Sequence, residues 1–196
     1  MTGVVVRPAT PQCEAEAVRL LARAFITNPI HVAALGAGEL ARNEVFFRVG
    51  LSALKGVKLV ALQEGRVVGF NHWVRYPGCI ISPSERIRLT PTLMRGIGLG
   101  ASRRTVKWVT AWGDQHPVRP HVHLGPLGVD PALQRRGVGS LLMEAHVAAL
   151  IAERVAGYLE TDRPENVGFY RRFGFELVGE VTVLDVPNYF MWRAAG

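Results

Sequence analysis

The chain of 196 residues is 48% hydrophobic and 20% charged, which allows one buried core of enzyme size and excludes the disordered class. We therefore predict a single domain over residues 1–196. The net charge of +7 is spread along the chain in short clusters, which favours anionic ligands. These clusters lack the interleaved aromatic residues of a nucleic-acid surface, so we expect no nucleic-acid partner.

The cysteines and the hydropathy of the chain limit which cofactors and which cellular location we expect. Cys13 and Cys79 are the only cysteines, and because they lack a CxxC spacing we predict no disulfide and no metal. The first ten residues have no apolar signal core, and the longest apolar stretch, 138–151, is interrupted by Glu144 and His146. The protein is therefore expected in the cytoplasm, without a membrane partner.

Local signals in the first half of the chain predict two helices and three strands. Thr10 is followed by a proline, which is typical of a helix start, and the Asn28-Pro pair is expected to end that helix. After residue 54 the apolar period changes from helical to two, around a turn at Gly65. The predicted elements are a strand at 4–7, helices at 11–28 and 40–54, and strands at 58–62 and 67–75.

The second half alternates strands with helices. Glycines at 96, 98 and 100 interrupt the helical pattern of the stretch 84–115, and Ser102 is predicted to cap a helix within it. A later helix, beginning near Ser140, carries a stripe of small residues that permits close approach to a sheet. The predicted elements here are a strand at 121–129, a helix at 140–154, a strand at 157–161, a short helix at 166–172, and strands at 175–184 and 189–193.

The segment 130–140, between the strand at 121–129 and the helix that follows, has the chemistry of a phosphate site. The first turn of a helix leaves four N–H groups without intrahelical partners, and the helix dipole adds positive potential. Gly137 and Gly139 let the backbone approach a pyrophosphate, and Arg135 and Arg136 add charge. The run is neither GxxxxGK[ST] nor GxGxxG, so it supports neither a P-loop nucleoside triphosphatase nor a Rossmann enzyme.

Two separate motifs resemble those of the GNAT superfamily of acyl-CoA N-acyltransferases. Gln134, Gly137 and Gly139 match its acetyl-CoA signature, [QR]xxGx[GA]. Residues 158–161 and 166–175 are similar to its fifth strand, its short fourth helix and the YxxxGF entry to its sixth strand. The resemblance spans most of the chain. Its carboxy-terminal part looks most similar to small-molecule acetyltransferases of the puromycin and arylalkylamine kinds.

The resemblance implies a GNAT fold, an α/β (α+β) arrangement in which helices flank a central, mixed, mostly antiparallel, twisted sheet of about seven strands. It implies transfer of an acetyl group from acetyl-CoA to an amine by direct attack in a ternary complex. Tyr170 takes the position of the family's general acid, which protonates the CoA thiolate, and backbone N–H groups at 127–129 stabilise the oxyanion. The residues implied in cofactor binding are Leu127, Gly128, Val129, Gln134, Arg135, Arg136, Gly137, Val138, Gly139, Ser140 and Asn166.

The base that accepts the proton of the amine is sought among the histidines, whose ordinary pKa lies near neutrality. His121 and His123 lie two residues apart on one predicted strand, so both point to the same face beside the expected thioester site. We predict that this pair is the base, the alternative being that both are structural residues of a half-buried strand. Asp114, His116 and Glu160 are further candidates that rank below the pair.

Two other functions remain open. One is a non-catalytic acyl-CoA-binding regulatory module, which would have no use for a general-acid tyrosine. The other is a protein-lysine acetyltransferase, which needs an open peptide groove, whereas the long segment 84–115 favours a covered pocket and a small-molecule amine. The sequence leaves the acceptor amine, the acyl-chain preference and the oligomeric state open, a homodimer included.

Overall fold

The computed structural model describes residues 3–196, leaving aside the side chain of Pro83, and forms a seven-stranded mixed sheet with helices on both faces, as the sequence predicted. The strand order is β1-β2-β3-β4-β5-β7-β6. None of the described helices is both long enough and apolar enough to cross a membrane. The strands are β1 (Val4–Pro8), β2 (Val57–Gln63), β3 (Arg66–Arg75), β4 (Val122–Val129), β5 (Gly157–Thr161), β6 (Glu176–Val183) and β7 (Val186–Arg193). The helices are α1 (Pro11–Ala24), α2 (Pro29–Leu35), α3 (Leu40–Ala53), α4 (Pro83–Ile97), α5 (Leu99–Asp114), α6 (Val138–Glu153) and α7 (Pro164–Arg171).

The two central strands separate along their length. Neighbouring strands are antiparallel except β4 and β5, which run parallel and pair only over residues 122–124 and 157–159. Beyond that point β4 continues to Val129 along β3 alone, while β5 continues along β7. The space between residues 125–129 of β4 and residues 160–161 of β5 is called the β4–β5 gap below.

Neighbouring residues of β2 show how the two faces of the sheet are covered. Val60 packs in an apolar cluster with α1 and α3, around Leu21 and Phe47. Ala61, the next residue and therefore on the opposite face, packs with Leu142 of α6 and with Val129 at the end of β4. The start of α6 is thereby fixed against the sheet at the end of β4.

The structure corrects the sequence prediction at two helix boundaries. α1 ends at Ala24, and Asn28 begins α2 instead of ending α1, because its side chain accepts a hydrogen bond from the N–H of His31. Ser102 lies inside α5 and donates to the Gly98 carbonyl at 2.8 Å, so it does not cap the helix. The other predicted elements are present within a few residues of their predicted bounds.

Candidate functional site

The β4–β5 gap exposes backbone donors of β4. In an antiparallel ladder, residues that bond to the neighbouring strand alternate with residues whose N–H points away from it. The Asp130 N–H bonds to the Val68 carbonyl of β3 at 3.0 Å, so Gly128, two residues earlier, also faces β3. The N–H groups of Leu127 and Val129 therefore point into the gap. Gly128 serves packing, since a Cβ on it would lie 2.6 Å from a leucine of α1.

The first turn of α6 is open to an anion. Gly137 precedes the helix with a φ of 83°, a left-handed conformation that favours glycine, and no side chain caps the helix. The Leu141 N–H bonds to the Gly137 carbonyl at 3.1 Å, whereas the N–H groups of residues 138–140 have no acceptor within residues 3–196. Free N–H groups at the positive end of a helix dipole suit an anionic ligand.

The open turn of α6 and the β4–β5 gap adjoin each other at Gly139. A methyl group on Gly139 would lie 3.6 Å from the side chain of Val129 and 3.9 Å from that of Leu127. The same methyl group would lie 3.7 Å from Phe169 of α7. An elongated ligand whose phosphates bind at the start of α6 would therefore extend directly into the gap.

The remaining residues predicted to bind the cofactor lie at the rim. Gln134, Arg135 and Arg136 are exposed, and the side chain of Gln134 donates to the last carbonyl of β4 at 3.3 Å. The two arginines add positive charge beside the open helix turn. Asn166 Nδ2 donates to Thr161 Oγ1 at 3.2 Å, so in this structure it ties the start of α7 to the end of β5.

Tyr170, the predicted acid, lies on α7 with 8% of its surface exposed. Its ring packs edge-on against Phe169 and Phe175, and its hydroxyl makes no hydrogen bond to any residue that the structure describes. Burial raises the pKa of Tyr170, and the nearby carboxylates of Asp162 and Glu160 raise it further. The phenol therefore keeps its proton at neutral pH.

The predicted histidine pair is brought together around Tyr158. The ring centroids of His121 and His123 lie 5.5 Å and 5.4 Å from that of Tyr158. Each histidine has a partner of its own. His123 Nε2 lies 2.6 Å from Glu160 Oε2, and His121 Nε2 lies 3.0 Å from His116 Nε2.

Glu160 is the member of this group nearest to the gap. The pairing of β4 with β5 stops at Leu159, and Glu160 is the next residue of β5. Its side chain is 4% exposed and forms a buried ion pair with His123. Burial alone would lower the pKa of His123, but the carboxylate outweighs it and raises that pKa to about 10. His123 therefore carries a proton at neutral pH.

Cys79, in the loop after β3, joins the same group of side chains. Its Sγ lies 3.2 Å from His116 Nε2 and 4.0 Å from His121 Nε2. Burial opposes ionisation of the thiol, but the imidazoles prevail and lower the pKa of Cys79 to about 5. Cys13 and Cys79 are both free and buried. The histidine cluster, as we call it, consists of Cys79, His116, His121, His123, Tyr158 and Glu160.

Two members of the histidine cluster were missed from the sequence. Cys79 lies in a turn and belongs to no motif, so no local signal marked it. Tyr158 had a usable signal, because it stands two residues before Glu160 on the same strand and therefore on the same face. The lower-ranked candidates His116 and Glu160 are in the cluster, and Asp114 is outside it.

Comparison with known families finds a match to the part of the chain that contains this site. A family model for the acetyltransferase (GNAT) domain matches residues 102–177, from α5 to the start of β6. The matched segment contains the β4–β5 gap, the open turn of α6, Tyr170 and most of the histidine cluster.

Solved structures with the same fold match the whole chain. One described as histone acetyltransferase HPA2 and related acetyltransferase, from Corynebacterium glutamicum, is 25% identical, with a TM-score of 0.76 over 100% of this chain and 98% of that one. A GNAT family acetyltransferase from Brucella melitensis, in complex with acetyl-CoA, is 20% identical, with a TM-score of 0.57 over 100% and 90%. A polyamine N-acetyltransferase from Drosophila melanogaster, which catalyses the formation of N-acetylagmatine, is 19% identical, with a TM-score of 0.66 over 97% and 99%. These matches confirm the predicted fold.

Proposed function

We infer that this chain transfers the acetyl group of acetyl-CoA to the amine of a small molecule. The GNAT acetyltransferase domain that it carries supports acetyl-CoA-dependent N-acetylation. The observation that carries this proposal is the continuity of the open first turn of α6 with the β4–β5 gap. The turn offers phosphate donors at residues 138–140, and the gap offers the backbone N–H groups of Leu127 and Val129. That arrangement suits a donor with a pyrophosphate at one end and a thioester at the other.

The transfer uses groups on both sides of the gap. The amine nitrogen attacks the thioester carbonyl, and the Leu127 and Val129 N–H groups stabilise the negative oxygen that forms. The carbon–sulfur bond then breaks, and Tyr170 donates its proton to the departing CoA thiolate. This role requires that the phenol be protonated when the thiolate appears, and Tyr170, with its raised pKa, is protonated at neutral pH.

The proton of the amine passes to the carboxylate of Glu160, since His123 already carries a proton. Glu160 lies where the gap begins, and His123 holds its carboxylate in position at 2.6 Å. Of the two predicted histidines, His123 is therefore the member that we place beside the amine. His121 lies behind it, bonded to His116, and supports the arrangement through Tyr158.

A small, cationic acceptor is favoured by what surrounds the gap. The loop after α5 brings His116 Nδ1 to 4.0 Å from Glu160 Oε1, so this segment covers one end of the gap. The carboxylate of Glu160 can accept a hydrogen bond from an amine, which suits an amine substrate. The related Drosophila enzyme forms N-acetylagmatine, the product of a small cationic amine.

Thiol release from acetyl-CoA, measured against a panel of amines, tests the proposal. The panel contains agmatine, spermidine, an arylalkylamine and a lysine peptide. We expect release with at least one small amine and none with the peptide. Glu160→Gln should lower kcat while leaving the KM for acetyl-CoA unchanged, and Glu176→Gln, at an exposed glutamate of β6, is the matched control.

Protein-lysine acetylation is the second candidate, because the Corynebacterium structure is described as a histone acetyltransferase and related acetyltransferase. Release with the peptide alone would replace the small-molecule proposal. Binding of CoA without thiol release from any amine would indicate a regulatory module instead.

A further inference from the structure

Three side chains of the histidine cluster converge on one point from three segments of the chain. Cys79 comes from the loop between β3 and α4, His116 from the loop after α5, and His121 from the residue before β4. His116 Nε2 lies 3.0 Å from His121 Nε2 and 3.2 Å from Cys79 Sγ. The remaining separation, from Cys79 Sγ to His121 Nε2, is 4.0 Å.

The outer nitrogen of the His121 ring is held as it is in metal sites. His121 Nδ1 lies 2.7 Å from the Arg119 carbonyl, which can only accept, so Nδ1 carries the hydrogen and Nε2 is free to act as a ligand. His116 Nδ1 faces Glu160 Oε1 at 4.0 Å. A backbone carbonyl or a carboxylate behind a ligating imidazole is the usual second layer of a zinc centre.

The separations also fit a tetrahedral ion. Zinc–nitrogen bonds of about 2.0–2.1 Å and a zinc–sulfur bond of about 2.3 Å imply nitrogen–nitrogen distances of about 3.3 Å and sulfur–nitrogen distances of about 3.5 Å. The distances between the ligand atoms of Cys79, His116 and His121 are 3.0, 3.2 and 4.0 Å, so small side-chain shifts suffice. All three side chains are buried or nearly so, so the ligand atoms lie below the protein surface.

We propose that this chain binds one divalent cation of the zinc class through Cys79 Sγ, His116 Nε2 and His121 Nε2, with the fourth position open to a water molecule. A thiolate with two imidazoles selects zinc over magnesium or calcium, which prefer oxygen ligands. The alternative trio of His116, His123 and Glu160 fits less well, because its carboxylate and imidazole lie only 2.6 Å apart. This proposal departs from the absence of metal expected from cysteine spacing.

The cation would join segments that are otherwise tied by few bonds. The loop carrying Cys79 is held by two turn bonds of its own, Gly78 N–H to the Arg75 carbonyl and Ile80 N–H to the Pro77 carbonyl, and at its start by the Tyr76 N–H, which donates to the His121 carbonyl at 2.9 Å. A metal at Cys79 links this loop to β4 and to the end of α5. Binding therefore stabilises the folded chain, and the Tm should rise with zinc concentration.

Cobalt(II), which reports thiolate ligation by a charge-transfer band in the near ultraviolet, is the probe. The full chain is stripped with a chelator and titrated with Co²⁺ in the absence of acetyl-CoA. We expect one ion per chain, with the thiolate band. Cys79→Ser should lose the band and weaken binding by at least about 10-fold. Cys13→Ser, at the other buried cysteine, should keep the thiolate band and the affinity for Co²⁺. Failure to take up Co²⁺ or Zn²⁺, or a band that persists in Cys79→Ser, overturns the proposal.

Alkylation of the wild-type chain avoids reliance on a variant that fails to fold. Zn²⁺ should slow the reaction of iodoacetamide with Cys79 and leave the rate at Cys13 unchanged, as followed by mass spectrometry of the two peptides. Equal rates at Cys79 with and without Zn²⁺ would contradict the site. Neither measurement involves acetyl transfer, so their outcome is independent of the proposed acceptor.

Discussion

Two glycines of the cofactor signature should respond differently to alanine, although the motif treats them alike. Gly137 stands before α6 with a φ of 83°, where a side chain is strained. Gly139 lies in the first turn of α6, where an added methyl group would make ordinary contacts at 3.6–3.9 Å. We therefore expect Gly137→Ala to impair CoA binding and Gly139→Ala to be tolerated.

The magnitudes follow from the backbone. Alanine in a left-handed conformation costs about 1–2 kcal/mol, so Gly137→Ala should lower the free energy of unfolding by about that amount. Alanine inside a helix is favoured over glycine by about 0.5–1 kcal/mol, so Gly139→Ala should leave it unchanged or raise it. If the loop relaxes by turning the N–H groups of 138–140, a loss of about 1.4 kcal/mol in binding weakens CoA about 10-fold.

Urea unfolding and calorimetric titration with CoA, performed on both variants, separate the two effects. The unfolding midpoint should fall for Gly137→Ala and hold or rise for Gly139→Ala. The Kd for CoA should increase about 10-fold in the first variant and stay near wild type in the second. Gly137→Asp, which adds a negative charge, should abolish binding. An unchanged Kd in Gly137→Ala and Gly137→Asp would refute the phosphate assignment.

Three further predictions concern the acid, the charge at the rim and the buried histidines. Tyr170→Phe should keep CoA affinity but lower kcat by roughly 10–10⁴-fold. Full turnover in this variant would show that Tyr170 only packs in the core. CoA affinity should fall with added salt, less so after Arg135 and Arg136 are both changed to Gln; equal slopes would contradict their role. Burial lowers the pKa of His31 to about 4 and of His146 to about 3, so the unfolded chain takes up protons first as pH falls below about 6.5. The free energy of unfolding should therefore fall toward pH 4 by about 1.4 kcal/mol per pH unit for each histidine, and equal urea midpoints at pH 7 and pH 5 would contradict this.

The sequence predicted the elements whose signals are local. β5 was predicted at 157–161 and α3 at 40–54, because each has a clear period and marked ends. α2 was missed, since an Asn-Pro pair either ends one helix or begins another, and the outcome depends on a distant residue. Asp162 accepts the N–H of Ile30 at 2.6 Å and the side-chain amide of Asn28 at 2.8 Å, which fixes the start of α2.

In the candidate site, too, the part with a local signal was predicted and the part that depends on strand pairing was not. The phosphate turn is a continuous run of residues, so its motif and its physical reason are both visible in the sequence. The proposed pair of Glu160 and His123 depends on the register of two strands that lie more than thirty residues apart. That register sets His123 opposite Tyr158 and ends one residue later, so Glu160 comes to lie where the strands separate. A shift of one residue would turn Glu160 to the other face of the sheet, away from His123. Spacing on each strand shows which side chains share a face, but only the pairing of β4 with β5 decides which of them reach the gap.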